Sequence, residues 1–241
     1  MRNAAIGFFA IALLICLLPA VASAQLIGYE QTFETLGLTD PGALAADDWL
    51  VYGNVFDPGG GFIYGYGAPA PNSGPPYAFC TLTTGEGGPA QGAQQVVVFS
   101  DYNNGDHGNG NTIESNFFQE QTVGAGDVGI RWFFTFQVKH GDLAGASTAL
   151  AFIKTLDPNA GYAMTNFITV DTTDFPDTWS DYALSITIDA SLVGQILQFG
   201  FSNKATNYEP SGMIYDNVSW FMEGAVATEQ SSWGQVKSLY R

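Results

Sequence analysis

The stretch Gly212-Met213-Ile214-Tyr215-Asp216-Asn217-Val218-Ser219-Trp220-Phe221 reads as a strand. Side chains alternate faces along a strand. Straight alternation puts Ile214, Asp216, Val218 and Trp220 on one face, and Met213, Tyr215, Asn217, Ser219 and Phe221 on the other. A carboxylate then falls in the middle of an aliphatic row. Burying a bare carboxylate is costly unless a cation or several donors compensate it. The chain has only 7 Lys and Arg in 241 residues, so a metal ion is a natural partner for Asp216. Backbone N–H donors, or an edge position for the strand, are the alternatives.

The same pattern runs back through the chain. Short apolar runs separated by Gly, Pro, Asn and Asp read as strands and turns. Candidate strands are Gly28–Thr35, Trp49–Asn54, Phe62–Tyr66, Tyr77–Thr83, Gln94–Ser100 and Ile113–Gln121. Beyond them come Ile130–His140, Thr148–Thr155, Tyr162–Val170, Ser180–Ile188, Gln195–Ser202 and Met213–Phe221. Gln95–Phe99 and Arg131–Phe136 are β-branched or aromatic nearly throughout, as buried central strands are. No sustained helical period appears before the tail. Many regularly spaced strands without interleaved helices predict a single all-β, antiparallel sandwich. The Gly- and Pro-rich stretch from Asn54 to Gly92 reads as a long loop carrying one hairpin, lying over that sandwich.

The ends divide the chain further. Residues 1–24 have the pattern of an export signal: Arg2, an apolar run from Ile6 to Leu18, and the small residues Ala22-Ser23-Ala24. The apolar run is too short and wrongly flanked for a membrane span, so the chain is expected to be secreted, without membrane insertion, and to begin at Gln25. The sandwich is expected over 25–222 and a tail over 223–241, either a frayed end or docked short helix capped by Ser231 or Ser232, or an attachment or export signal. In the tail, Trp233, Val236 and Tyr240 share a side.

Loss of Arg2 leaves 6 Lys and Arg against 23 Asp and Glu, a net charge of −17. Such a surface repels nucleic acid, anionic lipid and acidic polysaccharides unless calcium bridges them, and it attracts divalent cations. Neutral glycans are not repelled. Only Cys80 remains after cleavage, so no intrachain disulfide forms and the core must hold the fold. Cys80 has no basic neighbour to activate it and reads as a buried small side chain.

From Gln94 onward the order of features resembles a known group. It runs through Gln94–Phe99, Asn116-Phe117-Phe118-Gln119-Glu120, Val123-Gly124-Ala125-Gly126, Trp132–Val138 and Lys139-His140-Gly141-Asp142. Asp177-Thr178-Trp179, Tyr182–Ile186 and Gly212–Val218 complete it, with Phe33-Glu34 at the start. The chain is similar to the jelly-roll carbohydrate-binding modules of secreted bacterial proteins, in the galactose-binding-like group. The resemblance implies a non-catalytic polysaccharide- or cell-surface-glycan-binding module. It also implies a structural calcium joining the first and last strands, held by Glu34 and Asp216 alongside backbone carbonyls. Hard oxygen ligands suit calcium on chemical grounds as well. The Asp101–Asn111 loop alternates oxygen ligands with Gly but departs from EF-hand spacing, and reads as a solvated turn-rich loop.

Sugar sites combine aromatic faces with amides and carboxylates. Tyr64, Tyr66, Tyr102, Trp179 and Tyr208 lie in or beside predicted loops and are the candidate ligand-binding residues, with Asn103, Asn104, Asn203 and Asn207 as hydrogen-bonding companions. The family's binding position varies between a sheet face and the loop tips. No catalytic motif is present. His107 and His140 sit in turn-like contexts, and Glu114 with Glu120 is a carboxylate pair of the sort a glycosidase uses, although such pairs arise by chance among 23 acidic residues. The alternative to glycan binding is a structural or adhesive surface protein built on the same sandwich.

Overall fold

The computed structural model describes residues 25–72 and 78–224. Residues 1–24, where the export signal is expected, residues 73–77, and residues 225–241 of the expected tail lie outside them. The described residues form β1 (Tyr29–Gln31), α1 (Ala43–Ala46), β2 (Leu50–Phe56), β3 (Phe62–Pro69), β4 (Cys80–Thr84), β5 (Gln94–Val98) and β6 (Thr112–Thr122). They continue with β7 (Arg131–His140), β8 (Thr148–Asp157), β9 (Ala163–Asp171), β10 (Ser180–Thr187), β11 (Ile196–Thr206) and β12 (Met213–Met222). Every strand falls on a segment whose composition predicts one.

Two antiparallel sheets result. The back sheet has the order β10-β7-β12-β5-β4, with β1 also paired to β12. The front sheet has the order β3-β2-β6-β11-β8-β9. The chain passes repeatedly from one sheet to the other, which makes the all-β jelly-roll sandwich. Rings from the two sheets interleave between them: Phe201 stacks on Tyr215 at 3.7 Å and Phe199 on Trp220 at 4.7 Å, while on the front-sheet side Trp49 stacks on Phe117 at 4.1 Å. Burying a Phe-sized side chain is worth roughly 1.5–3 kcal/mol, so this layer supplies the cohesion a disulfide would otherwise add. Cys80 is buried, its thiol donating to Pro71 O at 3.3 Å, and burial pushes its pKa far up.

Straight alternation fails at one point in β12. Asp216 lies opposite Gln137 and Ser219 opposite Thr135, so two residues, Asn217 and Val218, face one. Asn217 takes the left-handed backbone (φ 47°) that such a bulge uses. The bulge flips the parity. Met213 and Tyr215 point into the core before it, and Val218 and Trp220 after it. Asp216 therefore shares the outward face with Ile214, on the opposite side from Val218 and Trp220, and the sequence expectation of one row is corrected. Along the same edge β12 changes partner, from β5 (Met213–Tyr215) to β1 (Val218–Trp220). Asp216 sits at that change-over.

The Asn54–Gly92 stretch also departs from expectation. It does not lie over the sandwich: β3 is the edge strand of the front sheet and β4 the edge of the back sheet. Its glycines serve the sheet itself. Gly65 and Gly67 face Asn54 and Tyr52 of β2, and the absence of a side chain at Gly65 leaves room for the ring of Tyr52.

Candidate functional site

The outer face of the front sheet carries the densest set of outward polar and aromatic groups, and cross-strand register arranges them in rows. Asn54, Glu114 and Lys204 form one row; Tyr52, Asn116, Ser202 and Leu150 form the next. Then come Leu50, Phe118, Gly200 and Phe152, and finally Glu120, Gln198, Lys154 and Phe167. Asn116, Phe118, Gln198, Ser202 and Phe152 are buried although they point away from the core, so the middle of this face is recessed. Its flanks are open: Tyr52 is 43% exposed and Phe167 48%.

Hydrogen bonds hold the planar groups of this face in place. Asn54 Nδ2 donates to Glu114 Oε1 at 3.0 Å, and Asn116 Nδ2 donates to the same oxygen at 3.2 Å and to Tyr52 O at 3.1 Å. Lys204 Nζ stands 3.9 Å from Glu114 Oε2. Gln198 Nε2 donates to Glu120 Oε2 at 2.6 Å, while Gln198 Oε1 is buried with no donor. Lys154 Nζ lies over the rings of Phe152 (5.0 Å) and Phe118 (5.8 Å). Burial lowers its pKa, opposed by the charges of Glu114 and Glu120. Tyr52 lies across the backbone of β3: a Cβ on Gly65 would meet its hydroxyl at 2.5 Å, and one on Gly67 its ring at 3.9 Å. The result is an aromatic plate at one flank, amide and carboxylate groups fixed in the recess, and a second ring at the far flank. Such an arrangement presents flat apolar faces and oriented hydrogen-bonding groups together.

The candidates read from sequence are placed elsewhere. Tyr64, Tyr66 and Tyr208 gather around the Asp101–Asn111 segment, to which Tyr102 itself belongs. Tyr64 donates to Asp106 Oδ2 at 2.5 Å and Tyr66 to Asp101 Oδ2 at 2.8 Å, with the two rings 5.8 Å apart. The Tyr102 hydroxyl is 2.6 Å from Ser211 Oγ, and its ring stacks on Phe99 at 5.3 Å. Tyr208 sits 4.9 Å from the ring of buried His107. Trp179 is apart from these, its Nε1 donating to Glu86 O at 3.1 Å and Lys139 lying over its ring at 5.6 Å. Asn104 donates to both Tyr64 and Tyr66 hydroxyls, and Asn203 donates to Ser211 O. Most of these polar groups are already engaged by the fold. Tyr64 and Tyr208 keep exposed ring surface.

The Asp101–Asn111 segment is a self-satisfied turn. Asp101 Oδ1 accepts the N–H groups of Ala78 and Asn103, and Asp106 Oδ1 accepts from Asn111 Nδ2 at 3.0 Å. With Tyr64 and Tyr66 on the remaining oxygens, all four carboxylate oxygens of these two residues have donors. Glu114 and Glu120 stand six residues apart on one strand, hence about 20 Å apart. A glycosidase pair needs roughly 5–9.5 Å, so these two do not form one.

Asp216 and Glu34 do come together. Asp216 Oδ1 accepts the N–H of Asn217 at 2.6 Å, and Oδ2 is buried with no donor. Gln95 approaches it from β5, and Gln95 Oε1 is likewise buried without a donor. Desolvation pushes the Asp216 carboxyl up to about 7, opposed by the Asn217 N–H and the neighbouring Gln95 amide, with the Glu34 charge adding to the rise; the Gln95 Nε2 itself donates to Gln91 O at 2.7 Å. Glu34 Oε1 accepts from Ala93 N and Gln94 N, both at 2.8 Å. Two orphaned acceptors beside a second carboxylate fit a hard cation or a shared proton. Among the described residues no three His, Cys, Asp or Glu side chains gather as a metal cluster, so a cation held here would have to draw on amide and backbone oxygens as well, as calcium sites do.

No protein-family model and no curated protein matches the chain. Several solved structures are similar to it. One is an endo-1,4-beta-D-xylanase fragment of Clostridium thermocellum with CBM22-1 and GH10 modules, at 12% identity over 84% of this chain and 29% of that one, TM-score 0.44. Another is the CBM22-1 xylan-binding domain of Paenibacillus barcinonensis, at 8% identity over 61% and 83%, TM-score 0.37. A cyclase from Fischerella sp. matches at 12% identity over 82% and 94%, TM-score 0.46. The chain spans only 21% of a matching bacteriophage tailspike chain and 29% of the xylanase chain.

Proposed function

We propose that this protein is an exported, non-catalytic glycan-binding module whose binding surface is the outer face of the front sheet. The observation that carries this reading is the recess itself: fixed amide and carboxylate groups of Asn54, Glu114, Asn116 and Gln198 between the exposed rings of Tyr52 and Phe167. A sugar chain laid across the strands meets ring faces at the flanks and hydrogen-bonding groups in the middle. The strongly acidic surface disfavours nucleic acid. Among the described residues no helix is long and apolar enough to cross a membrane.

The test is retention of the intact protein on a panel of immobilised polysaccharides, compared with Tyr52→Ala/Phe167→Ala and Tyr64→Ala/Tyr208→Ala double variants. Loss of retention in the first pair alone supports the assignment. Loss in the second pair alone moves the site to the Asp101–Asn111 end. Retention on no polysaccharide favours the structural or adhesive alternative.

A structural calcium belongs to the same proposal, with Glu34, Asp216 and Gln95 supplying side-chain oxygens where β12 exchanges β5 for β1. What supports it is the pair of buried acceptors without donors. The ion would neutralise Asp216 and tie three segments of the back sheet together, with no part in ligand chemistry.

A further inference from the structure

Lys154 is the group on the proposed surface that the fold leaves unanswered. Its ammonium lies between the rings of Phe152 and Phe118 and makes no hydrogen bond or ion pair among the described residues. Its cross-strand neighbour Gln198 donates its amide to Glu120, on the side away from Lys154, and keeps its buried Oε1 free of donors. The other described cations are answered: Lys139 by Glu86 at 2.7 Å, Lys204 by Glu114 at 3.9 Å, and Arg131 by Ser185 Oγ at 2.9 Å. A half-buried ammonium against aromatic faces has lost water without gaining an acceptor, and a carboxylate is the acceptor that returns most.

We propose that Lys154 makes the front-sheet surface selective for glycans bearing a carboxylate, a uronic acid unit stacked on Phe167 with its carboxylate on the Lys154 ammonium. This rests on the glycan-binding reading and deepens it. It runs against what the net charge of the whole chain suggests. Charges beyond about 8–10 Å are screened at physiological salt, whereas this ammonium is in contact range of a sugar on Phe167, its direct neighbour across β8 and β9. Locally the balance is much closer to even than over the whole chain: Lys154 and Lys204 share the face with Glu114, Glu120 and Asp171.

The experiment is calorimetric titration of the full protein with matched oligosaccharide pairs, each uronate-containing chain beside its neutral methyl ester, in chelator and then in calcium. The wild type should prefer the acid forms by roughly ten- to a hundred-fold, the scale of one charge-assisted hydrogen bond. Lys154→Met, which keeps the packing between the Phe rings, should bind both members of a pair alike. Lys154→Arg should keep the preference. Equal binding of acid and ester by the wild type overturns the inference while leaving glycan binding intact. A preference that persists in Lys154→Met, or that vanishes with chelator in the wild type, assigns it to another group and also overturns it. Binding of no pair overturns this inference and counts against the glycan reading beneath it.

Discussion

At Asp216 the direction of the pH dependence follows from burial. Its carboxyl rises from 3.8 to about 7 in the folded chain. Below about pH 4 both folded and unfolded chains hold the proton; between about 4 and 7 only the folded chain does; above 7 the folded chain carries a buried charge. In the metal-free protein this group's contribution is full at pH 4 and lost as pH rises through about 7, on the order of a few kcal/mol. Denaturation midpoints in chelator should therefore fall from pH 4 to 8. Asp216→Asn should flatten that slope and stabilise the metal-free protein at pH 8. Calcium should raise the midpoint of the wild type at pH 8 and leave Asp216→Asn unmoved; an unchanged wild-type midpoint contradicts the metal. The sequence made Asp216 conspicuous, but for a row it does not occupy. No residue pattern marks which of two neighbours in a strand takes the bulge, and a residue such as Asn217, which tolerates positive φ, is the only local hint.

The strands themselves were legible because each is a short β-branched or aromatic run between Gly, Pro, Asn and Asp. Their sheet membership was less so. Phe62–Tyr66 reads as a strand, but the outward-facing glycines and exposed Phe62 and Ile63 of β3 assign it to a hairpin over the sandwich until β2 and the Tyr52 ring are seen against it. Close approach explains a second glycine. A Cβ on Gly200 of β11 would collide with Phe117 O and stand 2.7 Å from Phe118 Cα. Gly200→Val should cost about 1–3 kcal/mol, the range for overpacking, in urea denaturation. At the bulge, Asn217→Val should cost a similar ~1–3 kcal/mol, because a β-branched residue is strained at φ 47°. It also removes the donor to Ala90 O. Wild-type stability in either variant would mean the strand pairing is looser than the register implies.

For the molecule as a whole, the binding surface was hidden by the same alternation that revealed the strands. Glu114, Asn116, Phe118 and Glu120 share one parity of β6, and Gln198, Ser202 and Lys204 one parity of β11. These residues read as solvated strand faces, and only the register of β2, β6, β11, β8 and β9 brings them into one recess. Loop aromatics drew attention because loops carry function in many folds; here Tyr66 and Tyr102 are tied down by Asp101 and Ser211. The fold lacks a disulfide among its described residues and carries buried Cys80, so reductant should leave its melting temperature unchanged. The central claim is that the front-sheet face binds a sugar chain. Amide and side-chain chemical shifts followed during titration with the tightest-binding oligosaccharide test it most directly. Binding on this face should perturb Tyr52, Asn54, Asn116, Lys154, Gln198 and Phe167. Shifts confined to Tyr64, Tyr208 and the Asp101–Asn111 segment, with the front-sheet face silent, would contradict it.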